Sequence, residues 1–150
     1  MNRMSFAAPA AIGPTACLTG LALLASCAPV DEEARAARNA AALENVPAVR
    51  VVGEPVNCLS RTAIRQSRVQ SDRVIDFEVT GGDIYRVTLP NRCPRLGLER
   101  AFSYRTSINR LCSTEIIYVL ETFGGEIRET SGCGLSEFVP VEYLAGDRKI

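Results

Sequence analysis

Two alternating runs on either side of a glycine pair constrain this chain more than any other feature. In Arg73-Val-Ile-Asp-Phe-Glu-Val-Thr80, Ile75, Phe77 and Val79 fall on one side and Asp76, Glu78 and Thr80 on the other. After Gly81-Gly82-Asp83, the run Ile84-Tyr-Arg-Val-Thr-Leu89 alternates again, with Tyr85, Val87 and Leu89 together. Successive strand side chains point to opposite faces, so this pattern predicts a half-buried antiparallel hairpin. A lone hairpin is marginal in water and needs a second apolar surface to cover it. The sequence offers several. Val49, Val51, Val52 and Val56 form a broken apolar run interrupted by Gly53 and Pro55, and Ala101 to Ser107 places Phe102 and Tyr104 on one face. Ile116-Ile-Tyr-Val-Leu120 is a continuous, β-branched run before Gly124-Gly125, and residues 126–133 are expected to return beside it. Leu135, Phe138, Val139 and Val141 supply a last short strand. The expectation is a mainly β domain over residues 49–144, a small antiparallel barrel or sandwich of about six strands, with a flexible tail at 145–150.

The N-terminal segment has a different texture. Ala16 to Ala25 is apolar apart from Thr19 and Gly20, follows Arg3 and Pro14, and ends in Leu24-Ala25-Ser26-Cys27. A spanning helix needs about 20 apolar residues, so this run is too short and reads as an exported leader over residues 1–26. Leu-Ala-Ser-Cys reads as a lipobox, with Cys27 acylated and N-terminal after processing; several acyl chains on one residue give stable anchoring. Ala28 in place of Asp is similar to Gram-negative lipoproteins sorted to the outer membrane, which implies anchoring there, facing the periplasm. Residues 27–48 then form an Ala-rich tether with Glu and Arg interspersed. Its helix propensity is high, but Leu43 is its only bulky aliphatic residue between Val30 and Val46, so a fraying helical or disordered spacer is expected.

Six cysteines are present; with Cys17 in the leader and Cys27 acylated, Cys58, Cys93, Cys112 and Cys133 remain. An even number in an exported domain predicts two disulfides. Zinc sites usually bring cysteines in close pairs, and no C-x-x-C occurs, so no metal is expected. If the run ending at Leu120 turns at Gly124-Gly125, Cys112 and Cys133 should lie opposite each other. Cys58 would then pair with Cys93. That is the preferred connectivity of the three possible.

Charge is balanced, with 17 basic and 17 acidic residues, which argues against a nucleic-acid binder. It is uneven, however: residues 61–110 hold ten arginines and five acids, whereas residues 111–150 hold three basic residues and seven acids. Mutual neutralisation in the fold is one explanation. The other is an arginine face for an anionic partner, with Arg92, Arg95, Arg100, Arg105 and Arg110, interleaved with Phe102 and Tyr104, as the candidate surface. Histidine is absent, which removes the usual general base and the Ser-His and Cys-His nucleophile pairs. Asp76 and Glu78 share a strand side, as an acid and base pair could, but neighbouring acids there read first as a solvated face. No catalytic residue and no cofactor are expected.

Residues 50–140 resemble a family of short proteobacterial lipoproteins that carry a single domain of unassigned function. The likeness is carried by Arg73-Val-Ile-Asp-Phe77, Gly81-Gly82, Tyr85 to Pro94, Arg100 to Ser107, Leu111-Cys112-Ser113 and Ser131 to Leu135. It implies no activity and no substrate. The expected function is therefore a non-enzymatic envelope module that contacts the membrane through its lipid and an envelope protein, cell-wall polymer or lipid through its domain. The plan is also similar to small disulfide-bonded lipoproteins that inhibit cell-wall hydrolases, although their binding-loop motif is not found here.

Overall fold

The computed structural model describes residues 31–146. The leader, Cys27 and the tail beyond Gly146 lie outside the described residues. Ten strands and two helices follow in order: α1 (Glu32–Ala41), β1 (Val49–Val51), β2 (Cys58–Ser60), β3 (Ile64–Val69), β4 (Val74–Val79), β5 (Ile84–Thr88), α2 (Leu96–Glu99), β6 (Phe102–Tyr104), β7 (Arg110–Cys112), β8 (Ile116–Phe123), β9 (Glu126–Gly134) and β10 (Val139–Tyr143). They build antiparallel sheets of five strands (β1-β10-β5-β4-β3), three (β6-β8-β9) and two (β2-β7). The fold is sandwich-like and mainly β.

The hairpin around Gly81-Gly82 is β4–β5, with Phe77 opposite Tyr85 and Ile75 opposite Val87. Ile75, Phe77, Val87 and Leu89 are fully buried and meet Ile117 and Val119 of β8, Leu111 of β7, Leu96 of α2 and Phe138 in one core. Phe77 packs edge-on against both Phe102 and Phe138. Burying a side chain of this size contributes roughly 1.5–3 kcal/mol, so this cluster dominates the stability of the sandwich. Residues 126–134 do return beside β8. Although Ile116–Leu120 is continuously apolar, only Ile117 and Val119 turn inward, and Ile116 stays exposed.

Both cysteine pairings differ from the expectation: the bonds are Cys58–Cys112 and Cys93–Cys133. Cys112 is not part of the β8–β9 hairpin. A turn, in which the Glu115 N–H donates to the Cys112 carbonyl, separates β7 from β8. β7 instead pairs with β2, setting Cys58 directly opposite Cys112 with Cα atoms 4.0 Å apart. Cys133 sits opposite Ile117 and reaches back to the buried Cys93 in the loop after β5, with Cα atoms 5.8 Å apart.

Within the tether, Glu32–Ala41 form a helix. Asp31 caps α1 by accepting from the N–H groups of Glu33 and Ala34, and Glu32 and Glu33 complement the helix dipole. No residue of α1 is buried, yet Asn39 holds it to the domain. Its carbonyl accepts from Arg73 Nη1 (3.3 Å) and its Oδ1 from the Arg92 N–H (3.0 Å). Leu96–Glu99 form the short helix α2. Gly97 is required there, because a Cβ would stand 3.0 Å from the Asp72 backbone nitrogen.

Candidate functional site

The most organised polar cluster lies on the outer face of the five-stranded sheet, centred on Asp76. The hairpin register sets Asp76 opposite Arg86. Arg86 Nε donates to Asp76 Oδ1 (2.7 Å) and Nη2 to Oδ2 (2.9 Å), a two-pronged pair. Oδ2 also accepts from Gln70 Nε2 (2.9 Å), at the end of β3, and from the Tyr143 hydroxyl (2.7 Å), on β10. The remaining Arg86 nitrogen, Nη1, donates to the Pro47 carbonyl (2.9 Å). Asp76 is only 2% exposed, so the polar side of β4 is not the solvated face its alternation suggests. Tyr143, Gln70 and, through Arg86, the Pro47 carbonyl enclose it.

Burial, and then the bond to Asp76, push the Tyr143 phenol up to about 12 from its ordinary value, with Arg86 pulling the other way. The neutral hydroxyl is therefore the donor to a charged carboxylate. Both Asp76 oxygens accept from donors, and Glu78 is paired with its own arginine, Arg68 (3.1 Å). The two carboxylates thus do not converge on a common vacant point, as an acid and base acting on one bond must. The arrangement ties β4, β5, β10 and the end of the tether together.

A second buried carboxylate, Glu121 of β8, accepts from Arg95 Nε (2.8 Å) and Thr130 Oγ1 (2.8 Å). Arg95 and Arg100 flank α2 in the left-handed region, with φ of +68° and +52°. The turn at Arg95 aims its guanidinium at both Glu99 and Glu121. Every buried side-chain polar atom among the described residues has a hydrogen-bond partner.

The five candidate arginines do not share one face. Arg92, bonded to Asp72 (2.6 Å), and Arg95 line a cleft of about 530 Å³ with Arg38, Ala42 and Leu98. Arg105 lies across the three-stranded sheet, bonded to Glu129 (2.6 Å) and 5.9 Å from the centre of the Tyr118 ring. Arg100 borders a separate groove of about 350 Å³ with Asn45, Gln66 and Ser67, and Arg110 is exposed on β7. Phe102 and Tyr104 are half-buried and packed on the core. Arg95 and Arg105 thus pair with acids of the 111–150 segment, the neutralisation that the charge asymmetry allowed. Arg100 and Arg110 make no ion pair among the described residues, and no group of three or more potential ligands clusters there as a metal site would need. Comparison with protein-family models, curated proteins and solved structures finds no match.

The Asp76–Arg86 pair is the feature that sequence reasoning missed, and a signal existed. A hairpin centred on Gly81 puts opposite charges at positions 76 and 86 directly across from each other.

Proposed function

We propose that this chain is a cell-envelope lipoprotein, acylated at Cys27 and held on the periplasmic side of the outer membrane. In this reading it belongs with the short proteobacterial lipoproteins it resembles and acts by binding or supporting other envelope components rather than by catalysis. The observation that carries the reading is the succession of Leu24-Ala-Ser-Cys27 and a domain closed by two disulfides, since such bonds persist in oxidising compartments. The absence of histidine and the occupied carboxylates of Asp76 and Glu78 support a non-catalytic role. Of the five candidate arginines, an anionic partner, a cell-wall polymer or lipid phosphate, would meet Arg100 and Arg110, which form no ion pair among the described residues.

Fractionation tests the anchor. The wild type should sediment with outer membranes and yield an acylated N-terminal Cys27 peptide by mass spectrometry. Cys27→Ala should leave the acylated fraction while keeping both disulfides. An unmodified Cys27 in the wild type would sink the anchoring claim. Co-sedimentation with purified cell-wall polymer and with anionic vesicles tests the partner. Loss of binding in Arg100→Glu/Arg110→Glu is expected, and unchanged binding would remove these residues from the contact.

A further inference from the structure

The hairpin β8–β9 ends in Phe123-Gly124-Gly125-Glu126, with φ of +58° and +90° at the two glycines, the geometry of a tight two-residue turn with both central residues left-handed. Residues 122–130 are all exposed. β9 is the edge of its sheet, and among the described residues its outer side has no neighbouring strand. That edge is not uniformly open. At its far end, Gly132, Cys133 and Gly134 stand beside the loop Pro90–Pro94, which the Cys93–Cys133 bond pins there. The open part is Glu126 to Ser131.

The hydrogen-bond alternation decides which backbone groups face outward. The Leu120 N–H donates to the Ala101 carbonyl, away from β9, so Leu120 opposite Glu129 is a non-hydrogen-bonded pair. Thr122 opposite Ile127 has the same parity. The N–H and C=O of Ile127 and of Glu129 therefore point off the edge, available to another strand. Ile127 carries an aliphatic side chain that is 70% exposed, on a strand edge where natural proteins usually place charge.

An antiparallel pair related by a two-fold axis must place that axis through one residue and its own copy, because hydrogen-bonded and non-hydrogen-bonded pairs alternate along the ladder. Centring on Glu129 would oppose two like charges. Centring on Ile127 opposes Ile127 to itself, and on the other face sets Glu126 opposite the second copy's Arg128 and Arg128 opposite the second copy's Glu126. Glu126 and Arg128 are bonded to each other within the strand (2.8 Å), both well exposed, so exchanging partners requires no rearrangement of the core.

The geometry points to a second copy of this chain as the occupant of the β9 edge, paired antiparallel about Ile127 to join two three-stranded sheets into one of six strands. This goes beyond the proposed function and does not depend on acylation.

Sedimentation velocity of the full chain in mild detergent tests it, with melting curves to confirm folding. The wild type should form a dimer. Arg128→Glu, which opposes only acids in this register, should raise the dimer dissociation constant by more than about tenfold. The double variant Glu126→Arg/Arg128→Glu restores complementarity and should recover the dimer. Monomeric wild type, a dimer indifferent to Arg128→Glu, or a double variant that stays monomeric overturns the proposal.

Discussion

A single buried carboxylate shows how much depends on one partner. Replacing Arg86 by leucine would leave Asp76 charged and unpaired in a closed site, with an expected loss of about 3–5 kcal/mol in denaturant unfolding. The exposed pair Arg50–Glu142 is at least as short, with one contact of 2.6 Å, but Arg50→Ala should cost less than about 1 kcal/mol, because solvent screens it. Equal effects at the two sites would contradict the burial argument. Tyr143 adds a pH signature. Its pKa is raised to about 12 in the fold, against about 10 in an unfolded chain. Its contribution is therefore complete below pH ~10 and lost as pH rises towards the folded value. Tyr143→Phe should flatten the alkaline decline of the urea midpoint in that window; an unchanged slope would remove Tyr143 from the network. The charges at 76 and 86 are legible in the sequence as a cross-strand pair. Their burial is not, because it depends on Tyr143, 67 residues away from Asp76, and on Pro47.

Elements differ in how visibly the sequence encodes them. β4 and β5 show their faces through period-two alternation, whereas β8 is apolar at every position from Ile116 to Leu120 and its inward face emerges only from its packing. β3 does not alternate either, because Ile64 and Val69 are an odd number of positions apart and cannot both face the core in a regular strand. A register shift between Ile64 and Gln66 restores the fit. β2 and β7 are three residues each, too short for periodicity, and Cys58–Cys112 joins them. The closed loops span 54 and 40 residues, so each bond should contribute about 4 kcal/mol on the chain-entropy account. Non-reducing peptide mapping should recover Cys58–Cys112 and Cys93–Cys133. Cys58→Ala/Cys112→Ala should lower the unfolding free energy by about that amount, and an unchanged value would show that β2–β7 needs no tie.

At the level of the whole molecule, the question is where the independent domain starts. α1 buries nothing and holds on through two hydrogen bonds at Asn39, so a chain beginning at Val46 should lose about 1–2 kcal/mol and remain folded. A chain beginning at Val49 also removes the Pro47 carbonyl that satisfies Arg86, and should lose roughly a further 1–3 kcal/mol. Equal melting temperatures for the two truncations would separate the tether from the Asp76 network.

Local pattern determined the β class, the inward faces of the central hairpin, the return of β9 beside β8, and the even number of cysteines available for bonding. The faces and the hairpins depend on side chains within 18 residues of one another, where strand period and turn chemistry act directly, and the cysteine number on composition alone. Strand order decided the rest: which cysteines meet, which acids are buried, where the arginines find their partners, and which edge stays open. Those outcomes need contacts between segments from 24 to 92 residues apart, and no local periodicity records which of several compatible strands lies alongside.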